Sequence, residues 1–150
     1  MAIPNRFLMQ TCVVGLVLLV PIHANAGNMC PGNGIEAEQS AIHEFQDWQD
    51  LFNSYSKFKG CDDGAIAEGW SDAVVHLLAT QWDKLGELQV LSSTHSDFEA
   101  FVLKHIDATT DADELDAVGT AAASRCPASA GALCNKIEKQ VESAKVEMNE

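Results

Sequence analysis

Apolar residues recur three or four positions apart along most of the chain, and no run alternates apolar with polar at the period of a strand. The first such stripe holds Ile42, Phe45, Trp48, Phe52 and Tyr55, with Glu44, Asp47 and Asp50 largely opposite, which predicts a helix from about Ile35 to Lys57 ending at Gly60. Asp62 or Asp63 is placed to cap a second helix carrying Ile66, Trp70, Val74, Leu77 and Leu78. Trp82 and Leu85 extend that stripe, Gly86 permits a bend, and a short helical piece over Glu87–Leu91 leads to a loop at Ser92–Thr94. Ser96 and Glu99 stand in capping-box spacing before the buried face Phe98, Phe101, Val102, His105 and Ile106. Thr109 or Thr110 restarts the pattern, with Asp111, Asp113 and Glu114 in the first turn and Leu115, Val118 and Ala122 facing inward. A last helix, about Ser129 to Lys145, carries Leu133, Ile137, Val141 and Ala144. The expected fold is all-α, a compact bundle of five or six short helices.

Residues 1–26 break this pattern. Arg6 precedes an apolar run from Cys12 to Val20, Pro21 interrupts it, and Ala24-Asn25-Ala26 places small residues where a cleavage site needs them. That is the layout of a secretory signal peptide, and the run is short of the roughly 20 apolar residues of a membrane span. Gly27-Asn28-Met29 before Cys30 lacks the aliphatic residue that opens a lipobox. The remainder, 27–150, reads as one helical domain with an irregular lead-in over 27–34, rich in Gly, Pro and Asn. The expected location is the periplasm or the medium, with no stable membrane insertion.

Cys12 leaves with the leader, and Cys30, Cys61, Cys126 and Cys134 remain. An even count in a small exported domain implies two disulfides. Of three pairings, Cys30–Cys61 with Cys126–Cys134 is favoured because each pair brackets a helix or turn. The absence of C-x-x-C spacing and of zinc-spaced His argues against a metal centre, so no metal or cofactor is expected.

Charge narrows the functional classes. The 150 residues carry nine Lys+Arg against 22 Asp+Glu, a formal net charge of −13. A general nucleic-acid binder needs a basic footprint, and anionic lipid repels such a surface. A basic protein partner is instead attracted. The acidic candidates for partner binding are Asp62 and Asp63, near Glu68 and Asp72, and Asp111, Asp113 and Glu114. Read from Asp107 as a calcium loop, the second patch puts Ala112 at the glycine position and Val118 at the bidentate-Glu position, so a carboxylate-rich helix start explains it better. Trp48, Trp70 and Trp82 fall on apolar stripes and read as core, as do His76 and His105 as packed or partly exposed residues. No nucleophile elbow, phosphate loop, zinc-protease or dinucleotide fingerprint is present, so no catalytic residue is assigned and a non-enzymatic protein is expected.

The segment Cys61-Asp62-Asp63-Gly64-Ala65-Ile66-Ala67-Glu68-Gly69-Trp70-Ser71-Asp72-Ala73, with the Phe98–Phe101 helix and Cys126 in compatible order, resembles Rap/Tai-type immunity proteins of type VI secretion. The resemblance spans about residues 61–126. It implies a small, exported, helical protein that neutralises an effector, often a peptidoglycan amidase, in the periplasm. Cys61, Gly64, Gly69, Asp72 and Cys126 match as framework positions. The Asp62-Asp63 pair and a further helix with Cys134 depart from the pattern. The expectation is an exported binding protein, an immunity or inhibitor protein that occludes a toxin or cell-wall hydrolase. The alternatives are a small-molecule carrier or envelope stress protein with a pocket lined by Trp70 or Trp82, and a hydrolase built on convergent carboxylates. A helical seam would also accommodate a homodimer.

Overall fold

The structure is a computed structural model and describes Cys30 and residues 34–150. The leader expected over 1–26 and most of the lead-in lie outside the described residues. Those described form seven α-helices and no strand: α1 Ile35–Ala41, α2 Trp48–Phe58, α3 Gly64–Thr80, α4 Leu85–Thr94, α5 Ser96–Lys104, α6 Ala112–Ser124 and α7 Gly131–Glu147. Short 3-10 turns over Lys59–Cys61, Trp82–Lys84 and Ala128–Ala130 join some of them. The all-α class is as expected, and both disulfides form in the favoured pairing, Cys30–Cys61 and Cys126–Cys134.

The helix expected over 35–57 is two helices. Asp47 adopts extended backbone and its side chain accepts from the Asp50 amide, so a new helix starts at Trp48. Ile42, expected on the buried stripe, lies outside α1 and is 74% exposed. The bend expected at Gly86 falls instead at Gln81, and Gly86 sits inside the first turn of α4, which runs on through Ser92, Ser93 and Thr94. The Ser96–Glu99 capping box does not form: α5 begins at Ser96 itself, with His95 before it and no side-chain cap. Asp63 does cap its helix, accepting from the Gly64 amide, but α6 starts later than the expected Thr109 or Thr110: Asp111, expected in the first turn, is the cap and accepts from the Glu114 amide.

The core runs through all seven helices. Trp48, Leu51, Trp70, Leu77, Leu78, Leu88, Phe98, Leu115 and Ile137 are almost wholly buried. Phe52, Tyr55, Phe98, Phe101 and Trp70 form a chain of ring contacts with centroids 4.6–6.3 Å apart, joining α2, α3 and α5. Such stacks add to the burial of apolar area, which stabilises by about 25 cal/mol per Å². Trp82 is buried too, and its Nε1 donates to the Arg125 carbonyl at 3.0 Å, tying the α3–α4 turn to the end of α6. All three tryptophans are therefore core, as expected. α6 packs along α7 and across α3, while α1 lies on α3. That last contact depends on Gly69: a Cβ there would stand 2.9 Å from the Ala41 carbonyl oxygen. A second glycine, Gly34, enters α1 at φ 78°, a region that L side chains rarely adopt.

Candidate functional site: an acidic groove backed by a sealed polar cluster

Where α1 ends, the chain leaves Ala41 and crosses α3 as Ile42-His43-Glu44-Phe45 before Asp47 starts α2. This strap, α3 and the start of α6 enclose an open groove of about 690 Å³. The α3 wall presents Gly69, Asp72, Ala73, His76 and Leu77 at helical spacing, and the α6 wall presents Asp111 and Glu114. Ile42, Ala73 and Leu77 give the groove an apolar lining, with Glu44, Asp72, Asp111 and Glu114 as carboxylates and no Lys or Arg.

The carboxylates differ in what holds them. Asp111 accepts from the Glu114 amide as the helix cap, and Glu114 Oε1 lies 2.7 Å from His76 Nδ1. Asp72 has no hydrogen bond or cation partner among the described residues. Partial burial, together with the charges of Glu114, Asp107, Glu68 and Asp111, pushes its carboxyl above the ordinary range. The groove thus concentrates negative charge that the fold leaves unneutralised. Five acids outside the groove do have a lysine partner: Glu36 with Lys57, Asp97 with Lys59, Asp62 with Lys104, Glu99 with Lys136 and Asp116 with Lys145.

Directly behind Asp72, Ser71 faces inward. Its Oγ lies 2.7 Å from Asp107 Oδ2, 2.9 Å from His105 Nδ1 and 3.1 Å from the Ala67 carbonyl oxygen. On the far side of the ring, His105 Nε2 stands 3.3 Å from Asp62 Oδ1, whose other oxygen receives Lys104 at 2.6 Å. Asp107 Oδ1 accepts from the Thr109 amide and hydroxyl. Burial would raise the Asp107 carboxyl, but the hydrogen bonds from Thr109 and Ser71 and the His105 ring hold it below the ordinary range. Burial pushes the His105 imidazole down, against the pull of Asp62. The atom order imitates a hydrolytic serine, histidine and carboxylate, yet Ser71 and His105 are each 1% exposed. No substrate carbonyl reaches a hydroxyl sealed in that way.

The acidic candidates from sequence therefore separate. Asp111 and Glu114 line the groove, and Asp113 is exposed elsewhere on the first turn of α6. Asp63 is a helix cap, and Asp62 is half of the ion pair with Lys104 that faces His105. Asp72, expected beside the Asp62-Asp63 patch and as a framework position, and Ile42, expected in the core, are groove residues. The missed signal for Ile42 was the cap at Asp47, because a strap must precede a helix that starts there. For Asp72 the signal was its four-residue spacing to Glu68 and His76 on one face of α3. Among the described residues no cluster of three or more His, Cys, Asp or Glu is arranged to hold a metal ion, and no helix is long and apolar enough to cross a membrane. No family model matches the chain, and no curated protein and no solved structure matches it either.

Proposed function

We propose that the protein is an exported, non-enzymatic binding protein that occludes a protein effector, in the manner of an immunity or inhibitor protein, and that the groove over α3 is where it grips. The observation that carries this reading is the unneutralised carboxylate Asp72 in an apolar-lined groove beside the exposed Ile42. An apolar anchor ringed by uncompensated charge suits a protruding loop that offers a Lys or Arg next to an aliphatic side chain. Two disulfides support an oxidising location, and the leader-like residues 1–26 support export to the periplasm or medium. The carrier alternative draws no support from the groove, whose lining includes neither Trp70 nor Trp82.

The test uses the purified full-length domain against periplasmic and secreted cell-wall hydrolases, peptidoglycan amidases first, with inhibition and calorimetric affinity as readouts. The expected result is inhibition of one of them. Asp72→Asn with Glu114→Gln weakens binding by about tenfold or more, the equivalent of ~1.4 kcal/mol. Ile42→Glu weakens it comparably. Failure to bind any hydrolase, or full affinity in those variants, overturns the reading. A second reading, acid–base hydrolysis at the same groove, is favoured by the raised Asp72 carboxyl beside Glu114. Release of product from peptidoglycan by the wild type, lost in Asp72→Asn, would select it.

A further inference from the structure

The sealed cluster holds a titratable ring at ion-pair distance from a carboxylate. Ser71 owns a single hydroxyl proton, and its shortest contact is the 2.7 Å approach to the carboxylate of Asp107, so Oγ donates there. Oγ then accepts from His105, which places the neutral ring's proton on Nδ1, 2.9 Å away. Nε2 is left bare, facing the bare Oδ1 of Asp62 at 3.3 Å, and both atoms are buried without a hydrogen-bond partner. The two atoms stand at ion-pair distance but are not aligned as a hydrogen bond. A proton on Nε2 would turn this contact between two acceptors into an attraction between imidazolium and carboxylate, with Nδ1–H still directed to Ser71 and Ser71 to Asp107. Burial opposes that charge and keeps the ring neutral at pH 7. The charged groups facing the ring are Asp62 from the segment before α3, Asp107 from the α5–α6 loop and Lys104 from its own helix. α3 contributes Ser71 and the edge of Trp70, and α5 contributes the Phe101 ring.

The cluster is also joined to the groove at both ends. Ser71 precedes Asp72, and Asp107 leads through Thr109 and Thr110 into the Asp111 cap that sets Glu114. We propose that this cluster is a proton-operated latch behind the groove: His105 takes up a proton as the medium acidifies, and the positive charge it adds weakens the groove's hold on a cationic partner. The inference rests on the groove reading for its consequence but not for its test. Linkage makes the coupling reciprocal, so charge removed from the groove must make His105 harder to protonate.

The experiment follows the His105 ring nitrogens by two-dimensional NMR in the free protein, from about pH 7.5 to about pH 4.5. The wild type is expected to show the Nδ1–H tautomer at neutral pH and to protonate in the folded state. Asp72→Asn, which mimics neutralisation by a bound cation, lowers the proton affinity of His105 about twofold or more. Ser71→Ala removes the acceptor at Nδ1 and moves the neutral proton to Nε2, toward Asp62. An Nε2–H tautomer in the wild type, a midpoint unmoved by Asp72→Asn, or a ring that stays neutral until the chain unfolds each overturns the latch. None of these results depends on finding a partner, and a groove that binds no hydrolase leaves the latch standing or falling on the titration alone.

Discussion

Two glycines on neighbouring helices separate space from propensity. Gly69→Ala adds a methyl 2.9 Å from the Ala41 carbonyl oxygen, and backbone cannot swing aside as a flexible side chain can. The expected outcome is a loss of ~1–3 kcal/mol, the usual cost of overpacking, despite the better helix propensity of Ala. Gly86→Ala on α4 meets nothing within 4 Å and is expected to gain ~0.5–1 kcal/mol. Urea denaturation of the two variants checks both signs at once. Sequence told these residues apart in neither direction: Gly86 looked like a bend and Gly69 like one framework position among several. What distinguishes them is the end of α1 that lies on α3, a tertiary contact 28 residues away in sequence. His105 was legible as a packed residue from its apolar stripe, but its partners Asp62, Ser71 and Asp107 come from separate turns. No periodicity announces such a meeting.

Helix caps decide element boundaries, and here they explain both the successes and the errors of the sequence pattern. Asp63 was recognisable because it precedes an apolar stripe and stands where a helix must begin. Thr109 and Thr110 compete with Asp111 for the start of α6, and the pattern favours the threonines over the true cap. Asp47 was hidden because Phe45 and Trp48 continue the spacing of the previous stripe across the break, and only the Asp47–Asp50 relation marks a new start. Ser96 failed as a cap because the preceding helix runs to Thr94 and leaves a single residue, His95, between α4 and α5. Asp47→Ala and Asp111→Ala are each expected to cost ~1 kcal/mol, the typical worth of an N-cap, seen as lower melting temperatures in calorimetry. Only Asp111→Ala is expected to weaken partner binding as well, since Asp47 does not line the groove. Equal losses of affinity in both would indicate that the caps act on the groove through stability alone.

The whole molecule titrates in two directions. His105 is less basic folded than unfolded, so the unfolded chain binds its proton first; stability is full above about pH 6.5 and falls as the pH drops through that range. Asp97, hydrogen-bonded by Lys59 and Tyr55, is held down to about 2, and its contribution disappears as the pH falls from about 4 toward 2. Asp72 works the other way: its raised carboxyl gains its proton early and relieves repulsion as the pH falls. Denaturation midpoints measured across this range are expected to decline in two stages, and His105→Asn to abolish the first. Covalent bonds contribute separately. Loss of the Cys30–Cys61 bridge, which spans 31 residues, is expected to cost ~3–4 kcal/mol, more than the ~2–3 kcal/mol for the eight-residue Cys126–Cys134 loop. Paired Cys→Ser variants compared in urea test that order. The longer bridge also has a temporal consequence. Cys61 is the residue before Asp62, so oxidation anchors the backbone that carries the carboxylate over the His105 ring. Formation of this bridge is therefore expected to accompany closure of the imidazole chamber, with slower solvent exchange of the His105 ring proton in the oxidised than in the reduced chain as the readout.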